Sequence, residues 1–142
     1  MIGLLIITHS RLAKELLEAA GFIMGSVEFI MGSVEAAECI SIETQKDSKK
    51  LRNIIQNKLK SLDQGDGVLI LVDMFGGTPS NLALSFLQKD TAEVVTGVNL
   101  PMVLAIADNR KGKSLAEVAD IAKSAGQRSI SLASELLKPK ET

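Results

Sequence analysis

Residues 67–81 read GVLILVDMFGGTPSN, and this stretch decides the fold. The apolar run Val68–Val72 is typical of a strand that is buried on both faces of a parallel sheet. The run ends at Asp73, and a loop with two adjacent glycines and a proline then leads into a helix that we expect from Ser80 to Gln88. A buried strand that leads directly into a helix predicts an α/β fold.

The same alternation extends in both directions from this stretch. Short apolar or β-branched runs predict the other parallel strands at Ile2–Ile7, Ala37–Ile42 and Ala92–Thr96. Apolar residues at helical spacing predict further helices that begin near Arg11, Ser48, Pro101 and Ser114. We expect Ser48 and Ser114 to be N-caps and the helix after Ser114 to stop near Gly126. We therefore expect a three-layer α/β/α fold with a mainly parallel sheet of four strands, followed by a short last strand at Arg128–Ala133.

Length and composition indicate one ordinary globular domain. Of the 142 residues, 46% are hydrophobic and 23% are charged, and we expect one domain over residues 1–136 with a flexible tail at 137–142. The formal net charge of −1 gives no electrostatic reason to expect nucleic acid or an anionic membrane as a partner. The N-terminal apolar run is far shorter than the about 20 residues of a membrane span and has no basic leader, so we expect a cytoplasmic protein.

Two candidate reactive side chains follow predicted strands. His9, the single histidine, comes shortly after Ile2–Ile7, and Asp73 comes directly after Val68–Val72. Because the carboxyl ends of parallel strands meet at one edge of a sheet, we expect both side chains to lie at that edge. An aspartate that accepts a hydrogen bond from Nδ1–H would leave Nε2 of the imidazole unprotonated and nucleophilic. One histidine without nearby cysteines or paired carboxylates falls short of a metal site.

The loop Gly76–Asn81 is suited to hold an anion. Its glycines let the backbone approach closely, the helix that follows presents N–H groups, and the Thr78 hydroxyl can donate to a phosphoryl oxygen. The loop has neither the Gly-Lys-Ser/Thr of a P-loop nor the Gly-x-Gly-x-x-Gly of a dinucleotide site. We therefore expect no nucleotide cofactor, so a phosphoryl group would have to come from another donor.

Three blocks of sequence, taken in order, carry a resemblance to a known family. They are Thr8-His9-Ser10 after the first strand, the stretch 67–81, and GVNLPM at 97–102. Together they resemble the IIA component of the mannose-family sugar phosphotransferase system, and the likeness covers nearly the whole chain. The resemblance implies a phosphotransferase that accepts a phosphoryl group from phospho-HPr on Nε2 of His9. It would pass the group to a histidine of the IIB component for sugar uptake.

The resemblance also implies roles for other residues and for partners. Asp73 would orient His9 as the second catalytic residue, and Gly77 with Thr78 would bind the phosphoryl group. A homodimer is implied, in which Arg128–Ala133 adds as an antiparallel strand to the sheet of the partner. The chain would interact with the membrane components IIC and IID only indirectly. The resemblance implies no cofactor.

Three alternatives belong to other classes of protein. The IIA-like subunit of a phosphoenolpyruvate-dependent dihydroxyacetone kinase shares the histidine loop, but its pattern lacks the Gly-Gly-Thr-Pro-x-Asn run. A response-regulator receiver needs an acidic pair after its first strand to hold magnesium, where this chain has Thr8-His9-Ser10. A non-catalytic regulatory interaction module would make His9 structural and Asp73 a residue of the turn.

A repeat departs from the family pattern. The heptad FIMGSVE at residues 22–28 recurs without change at 29–35. Seven residues are close to two helical turns, so such an insertion rotates the residues after it by only about 20°. A single glycine in a helix costs only ~1 kcal/mol relative to alanine. We therefore expect the first helix to run through Gly25 towards Gly32, and we expect the repeat to leave the function unchanged.

Overall fold

The computed structural model describes residues 1–25, 34–43 and 47–139, and within these ranges strands alternate with helices. The strands are β1 (Gly3–His9), β2 (Ala37–Ile42), β3 (Val68–Val72) and β4 (Ala92–Thr96). The helices are α1 (Leu12–Met24), α2 (Ser48–Leu62), α3 (Thr78–Leu84), α4 (Leu100–Ala107), α5 (Leu115–Arg128) and α6 (Ala133–Leu136). In the described ranges, no helix combines the length and the apolar character needed to cross a membrane.

The four strands form one parallel sheet in the order β2-β1-β3-β4. The central strand β1 pairs with both β2 and β3, and its register sets Ile7 opposite Val72 and His9 opposite Ile42. This sheet confirms the predicted α/β fold, and the bounds of β2, β3 and β4 are those predicted. The bounds predicted for the first strand are wrong, because β1 starts at Gly3 and continues through His9. The longer ladder with β2 holds these last residues in the sheet.

The side chains of β1 alternate between two apolar layers. Leu4 and Ile6 pack in one buried cluster with residues of α1, α4 and α5. Leu5 and Ile7 pack in a second cluster with residues of α2 and α3. Each such side chain contributes roughly 1.5–3 kcal/mol when it is fully buried. Because helices cover both faces of the sheet, the three-layer α/β/α arrangement is confirmed.

The helix starts follow local sequence signals. Ser114 caps α5 as predicted, because its hydroxyl accepts a hydrogen bond from the amide of Glu117 at 3.1 Å. The cap predicted at Ser48 is wrong, because the Asp47 side chain accepts the Lys49 amide and Ser48 is the first helical residue of α2. The third helix begins at Thr78, earlier than the predicted Ser80, because Pro79 lies in the first turn, where the helix makes no use of a backbone N–H. It ends at Leu84, before the predicted Gln88.

The predicted strand at Arg128–Ala133 does not form within the single chain, and its addition to the sheet of a partner stays a prediction. Arg128 is the last residue of α5, Ala133 is the first of α6, and the described residues between them pair with no strand. The predicted stop of α5 near Gly126 is also wrong. Instead Gly126 lies inside it, where a Cβ atom would approach Cε of Met102 to 2.7 Å. This glycine therefore allows α5 to pack closely on α4 and does not end the helix.

The continuous first helix is also wrong. The helix α1 ends at Met24, and Gly25 caps it in the left-handed region at φ 61°, with its amide bonded to the carbonyl of Gly21. Glycine adopts this conformation without steric cost, so the helix ends here. The predicted continuation towards Gly32 and most of the second heptad copy lie outside the described residues.

Arg110 is a charged side chain inside the fold, although its neighbours in sequence form a polar loop. It is 1% exposed. Its guanidinium donates to the carbonyl oxygens of Ile2 at 2.9 Å, Ala36 at 3.2 Å and Ala107 at 3.1 Å, and also to that of Glu35. One side chain therefore joins the start of β1, the segment before β2 and the end of α4.

Candidate active site

The two predicted reactive residues meet at the carboxyl edge of the sheet. His9 is the last residue of β1, and Asp73 follows the last residue of β3. The pairing of Ile7 with Val72 brings these two strand ends side by side. The Asp73 Oδ2 atom lies 2.9 Å from His9 Nδ1 and accepts the His9 backbone N–H at 3.0 Å. The expectation that both side chains share one edge is therefore confirmed.

The contact with Asp73 determines which ring nitrogen of His9 carries the proton and which keeps a free lone pair. An ionised carboxylate accepts hydrogen bonds and cannot donate them, so Nδ1 carries the proton that points at Asp73. In the neutral ring, Nε2 then holds a free lone pair. The His9 side chain is 48% exposed, whereas that of Asp73 is 13% exposed. The imidazole of His9 is thus about half exposed, while the carboxylate that orients the ring is largely enclosed.

The environment of Asp73 favours its ionised form. Burial on its own would raise the pKa of this carboxyl. The hydrogen bonds from the backbone and ring of His9, together with the one from the Met74 amide, outweigh burial and hold the pKa of Asp73 below its ordinary value. The carboxylate is therefore charged at neutral pH and suited to stabilise a cationic imidazole.

The backbone around His9 is fixed on both sides. Thr8 is fully buried, and its hydroxyl accepts the Ala13 amide at 2.7 Å, at the start of α1. Ser10 has a positive φ of 51°, which is uncommon for a residue other than glycine, and its amide donates to Ile42 at 2.9 Å. These contacts turn the chain sharply from β1 into α1 and leave the His9 side chain at the sheet edge.

Gly77 lies against the opposite edge of the imidazole ring. A Cβ atom on Gly77 would be 2.8 Å from Cε1 and 3.1 Å from Nε2 of His9. Its φ of −124° is accessible to every residue, so the need for glycine at this position is steric. Gly77 is therefore next to the nitrogen that would carry a phosphoryl group.

Sequence reasoning missed Ser80, which shapes the glycine loop. This fully buried hydroxyl accepts the amides of Gly76 at 2.8 Å and Gly77 at 3.1 Å, and it donates to the Gly77 carbonyl at 3.1 Å. A signal was present, because the third residue of a helix is the one that can reach back to the capping amide. Thr78, the other predicted residue, is exposed at the first position of α3, and its amide makes no hydrogen bond to a described residue.

The surface around His9 is open and partly apolar. Leu12 on α1 and Met74 and Phe75 in the loop are 44%, 53% and 72% exposed. Among the described residues, no group of three or more histidine, cysteine, aspartate or glutamate side chains could hold a metal ion. The arrangement presents an oriented imidazole nitrogen on a surface that another macromolecule can reach.

Comparison with known proteins agrees with this geometry. The chain matches the family model EIIA-man, described as PTS system fructose IIA component, over residues 3–123. The PTS system fructose-specific EIIA component of Bacillus subtilis (strain 168) is 32% identical over 143 residues, which cover 100% of this chain and 93% of that protein. The PTS system mannose-specific EIIAB component of Escherichia coli (strain K12) is 33% identical over 104 residues, which cover 72% of this chain and 30% of that protein.

A solved structure supports the same fold. The mannose/sorbose specific IIA subunit of the phosphotransferase system from Enterococcus faecalis superposes with a TM-score of 0.79 at 24% identity, over 99% of this chain and 98% of that one. The family match spans β1, the glycine loop and most of α5, and with them His9, Asp73 and Gly77. The chain therefore belongs to the EIIA-man family of sugar phosphotransferase system IIA components.

Proposed function

We propose that this chain is a phosphocarrier that accepts a phosphoryl group from phospho-HPr on His9 and passes it to a IIB component during sugar uptake. The observation that carries this proposal is the 2.9 Å contact between His9 Nδ1 and Asp73 Oδ2, which leaves Nε2 free on an exposed ring. The names of the relatives support the system to which the reaction belongs. We place the reaction in the cytoplasm, and it needs no cofactor.

The transfer exchanges one nitrogen–phosphorus bond for another. The Nε2 lone pair attacks the phosphorus of the donor phosphohistidine, the bond in the donor breaks, and its electron pair returns to the donor imidazole. His9 keeps the proton on Nδ1 and becomes cationic as the new bond forms. Asp73 stabilises this charge, and its hydrogen bond keeps the ring in the reactive orientation. Transfer to a IIB histidine runs through the same steps with His9 as the donor.

Gly77 and Thr78 form the cradle for the phosphoryl group in this proposal. Gly77 lies beside Nε2 of His9, and the amide of Thr78 follows it directly along the chain. The Gly77 amide donates to Ser80, whereas the Thr78 amide bonds to no described residue, so this amide and the Thr78 hydroxyl can donate to phosphoryl oxygens. The absence of a Gly77 side chain leaves the room that the phosphoryl group requires.

The protein partners would dock on the surface that surrounds His9. Both the donor and the acceptor histidine must reach Nε2, so each partner covers the same area in turn. The exposed side chains of Leu12, Met74 and Phe75 provide apolar contacts at this place. The membrane components IIC and IID are reached only through IIB.

A homodimer with an exchanged last strand is also part of the proposal. Within the described sheet β4 pairs with β3 alone, and its other edge is unpaired apart from the bridge between Ala92 and Gln88. A concavity of about 420 Å³ lies between this edge and α5, and Gly97 and Ile130 are among the residues that line it. Ile130 and Leu132 are 79% and 63% exposed, as expected for side chains that a partner covers. Residues 128–133 of one subunit would pair antiparallel with β4 of the other.

Labelling with purified components tests the reaction. Phosphoenolpyruvate, enzyme I and HPr should add one acid-labile, alkali-stable phosphoryl group to the protein, and a IIB component should remove it. The His9→Ala variant should remain folded and unlabelled. Labelling of that variant would reject His9 as the acceptor. Delivery to a dihydroxyacetone kinase subunit in place of IIB would favour the kinase alternative.

A further inference from the structure

We propose that Ser80 is a positioning residue, whose buried hydroxyl holds the Gly77 backbone against the Nε2 edge of His9 and so sets the geometry of phosphoryl transfer. This inference rests on the proposed function of His9. It assigns a role to a side chain that does not touch the reacting atoms. Ser80 acts on them through the glycine loop.

The hydroxyl of Ser80 uses its full hydrogen-bonding capacity on this loop. A serine hydroxyl has one donor and two acceptor positions. Here the acceptors take the amides of Gly76 and Gly77, at 2.8 and 3.1 Å, and the donor binds the Gly77 carbonyl at 3.1 Å. Ser80 is 0% exposed, so water does not compete for these bonds. The amides of Gly76 and Gly77 and the carbonyl of Gly77 are therefore all bonded to one buried hydroxyl.

The loop needs such a tether because of its composition. Two successive glycines have more conformational freedom than any other pair of residues. Gly76 has a φ of 95° and a Cβ placed on it would contact nothing within 4 Å, so packing does not restrain it. Gly77 nevertheless forms the wall against Cε1 and Nε2 of the His9 ring. The Asn81 amide also donates to the Gly77 carbonyl at 2.9 Å, but only the Ser80 hydroxyl among the described residues binds the Gly76 and Gly77 amides, so we assign the position of this wall to Ser80.

The imidazole is thus held from two sides by different means. Asp73 binds Nδ1 and limits rotation of the ring at one edge, and Gly77 limits it at the other. Loss of the Ser80 hydroxyl would leave two glycine amides without their buried acceptor, and the loop would rearrange to find other partners. The ring would then lose its second restraint, and the phosphoryl cradle would move with Gly77.

The test compares two serines at opposite ends of one helix. Ser80→Ala removes the hydroxyl that binds the loop. Ser85→Ala removes the hydroxyl that donates to the Leu82 carbonyl at 2.6 Å, and this hydroxyl makes no contact with the loop among the described residues. The full chain of each variant is assayed for the rate of phosphoryl transfer from phospho-HPr. The ¹H and ¹⁵N signals of the His9 ring and of the Gly76 and Gly77 amides are recorded in the unphosphorylated protein.

Ser80→Ala should slow transfer by about tenfold, as expected for a misplaced reacting group, and should shift or broaden the His9 ring and glycine amide signals. Ser85→Ala should transfer at nearly the wild-type rate with unchanged ring signals. If Ser80→Ala does not fold, Ser80→Cys keeps the volume, offers a weaker acceptor, and should show the same effects. Wild-type transfer and ring signals in a folded Ser80 variant would overturn the proposal. Failure of the wild-type protein to accept phosphate would instead reject the proposed function, and the ring signals would still decide the role of Ser80.

Discussion

At the scale of single residues, the site depends on two contacts to one imidazole. Asp73 holds the Nδ1 edge and the Gly77 backbone lies against the Nε2 edge. The first contact is electrostatic and fixes the tautomer, and the second is steric and fixes where the ring can lie. These two kinds of contact predict different outcomes when each residue is replaced.

Asp73→Asn should preserve the fold and slow phosphoryl transfer in both directions by roughly a hundredfold. An amide can still approach Nδ1, but it no longer selects the proton position or stabilises the cationic ring. Rapid-quench measurements of phosphoryl transfer from phospho-HPr to the protein, and from the protein to IIB, give the two rates. Rates equal to those of the wild type would show that Asp73 only shapes the turn.

The same variant should alter the dependence of stability on pH. The folded pKa of Asp73 lies below its ordinary value, so its contribution to stability is present above the unfolded pKa of about 3.9 and is lost as the pH falls through the folded pKa. The difference in Tm between wild type and Asp73→Asn should therefore be largest near neutral pH and should shrink below about pH 4. A difference that stays constant down to acidic pH would contradict this assignment of the pKa shift.

Gly77→Ala should impair transfer more than it impairs stability. The new Cβ atom would meet Cε1 of His9 at 2.8 Å, and the exposed ring can yield by turning away, which breaks its bond to Asp73. Gly76→Ala is the matched control, because its φ of 95° causes strain although the new Cβ meets nothing within 4 Å. We expect the lower Tm for Gly76→Ala and the lower transfer rate for Gly77→Ala. Equal transfer rates for Gly77→Ala and wild type would refute the ring contact.

At the scale of secondary structure elements, Arg110 connects parts of the chain that no helix or strand joins. Its guanidinium binds carbonyls at the start of β1, before β2 and at the end of α4. The described chain resumes at the buried Val34, and Arg110 binds the carbonyls of Glu35, the last residue of the second heptad copy, and of Ala36. Arg110 therefore holds the segment that leads into β2.

Arg110→Met should lower the free energy of unfolding by about 2–4 kcal/mol, because the carbonyls of Ile2, Ala36 and Ala107 lose a charged donor that is itself buried. Arg52→Met is a suitable control, since Arg52 contacts Ser85 and the Phe86 ring from an exposed position. Urea denaturation of both variants gives the comparison. Equal losses of stability in the two variants would show that Arg110 has no special role in the fold. Folded Arg110→Met should still transfer the phosphoryl group at nearly the wild-type rate.

At the scale of the whole molecule, the exposed C-terminal segment and the free edge of β4 predict a dimer. Replacement of Ile130 and Leu132 by aspartate should place charges where the partner sheet would bind and should give monomers in analytical ultracentrifugation. Ile54→Asp, on α2 at the other face of the sheet, should leave the oligomeric state unchanged. A wild-type protein that sediments as a monomer at micromolar concentration would refute the exchanged strand.

The sequence by itself determined the four parallel strands and the meeting of His9 with Asp73. Both depend on local patterns: apolar runs specify buried strands, and the common direction of parallel strands places their ends at one edge. The sequence also predicted the cap of α5 at Ser114, because a capping box is complete within four residues.

The tertiary structure alone decided the features that depend on distant contacts. Arg110 binds a carbonyl 108 residues away, so its place in a polar loop gave no sign of burial. Local sequence predicts a helix end at Gly126, and only the packing of Met102 from α4 shows that this glycine allows close contact between two helices. The wall that Gly77 forms beside His9 likewise arises when β1 and the loop after β3 come together. Residues 128–133 form no strand in the single chain, because a strand needs a hydrogen-bonding partner and local sequence cannot supply one.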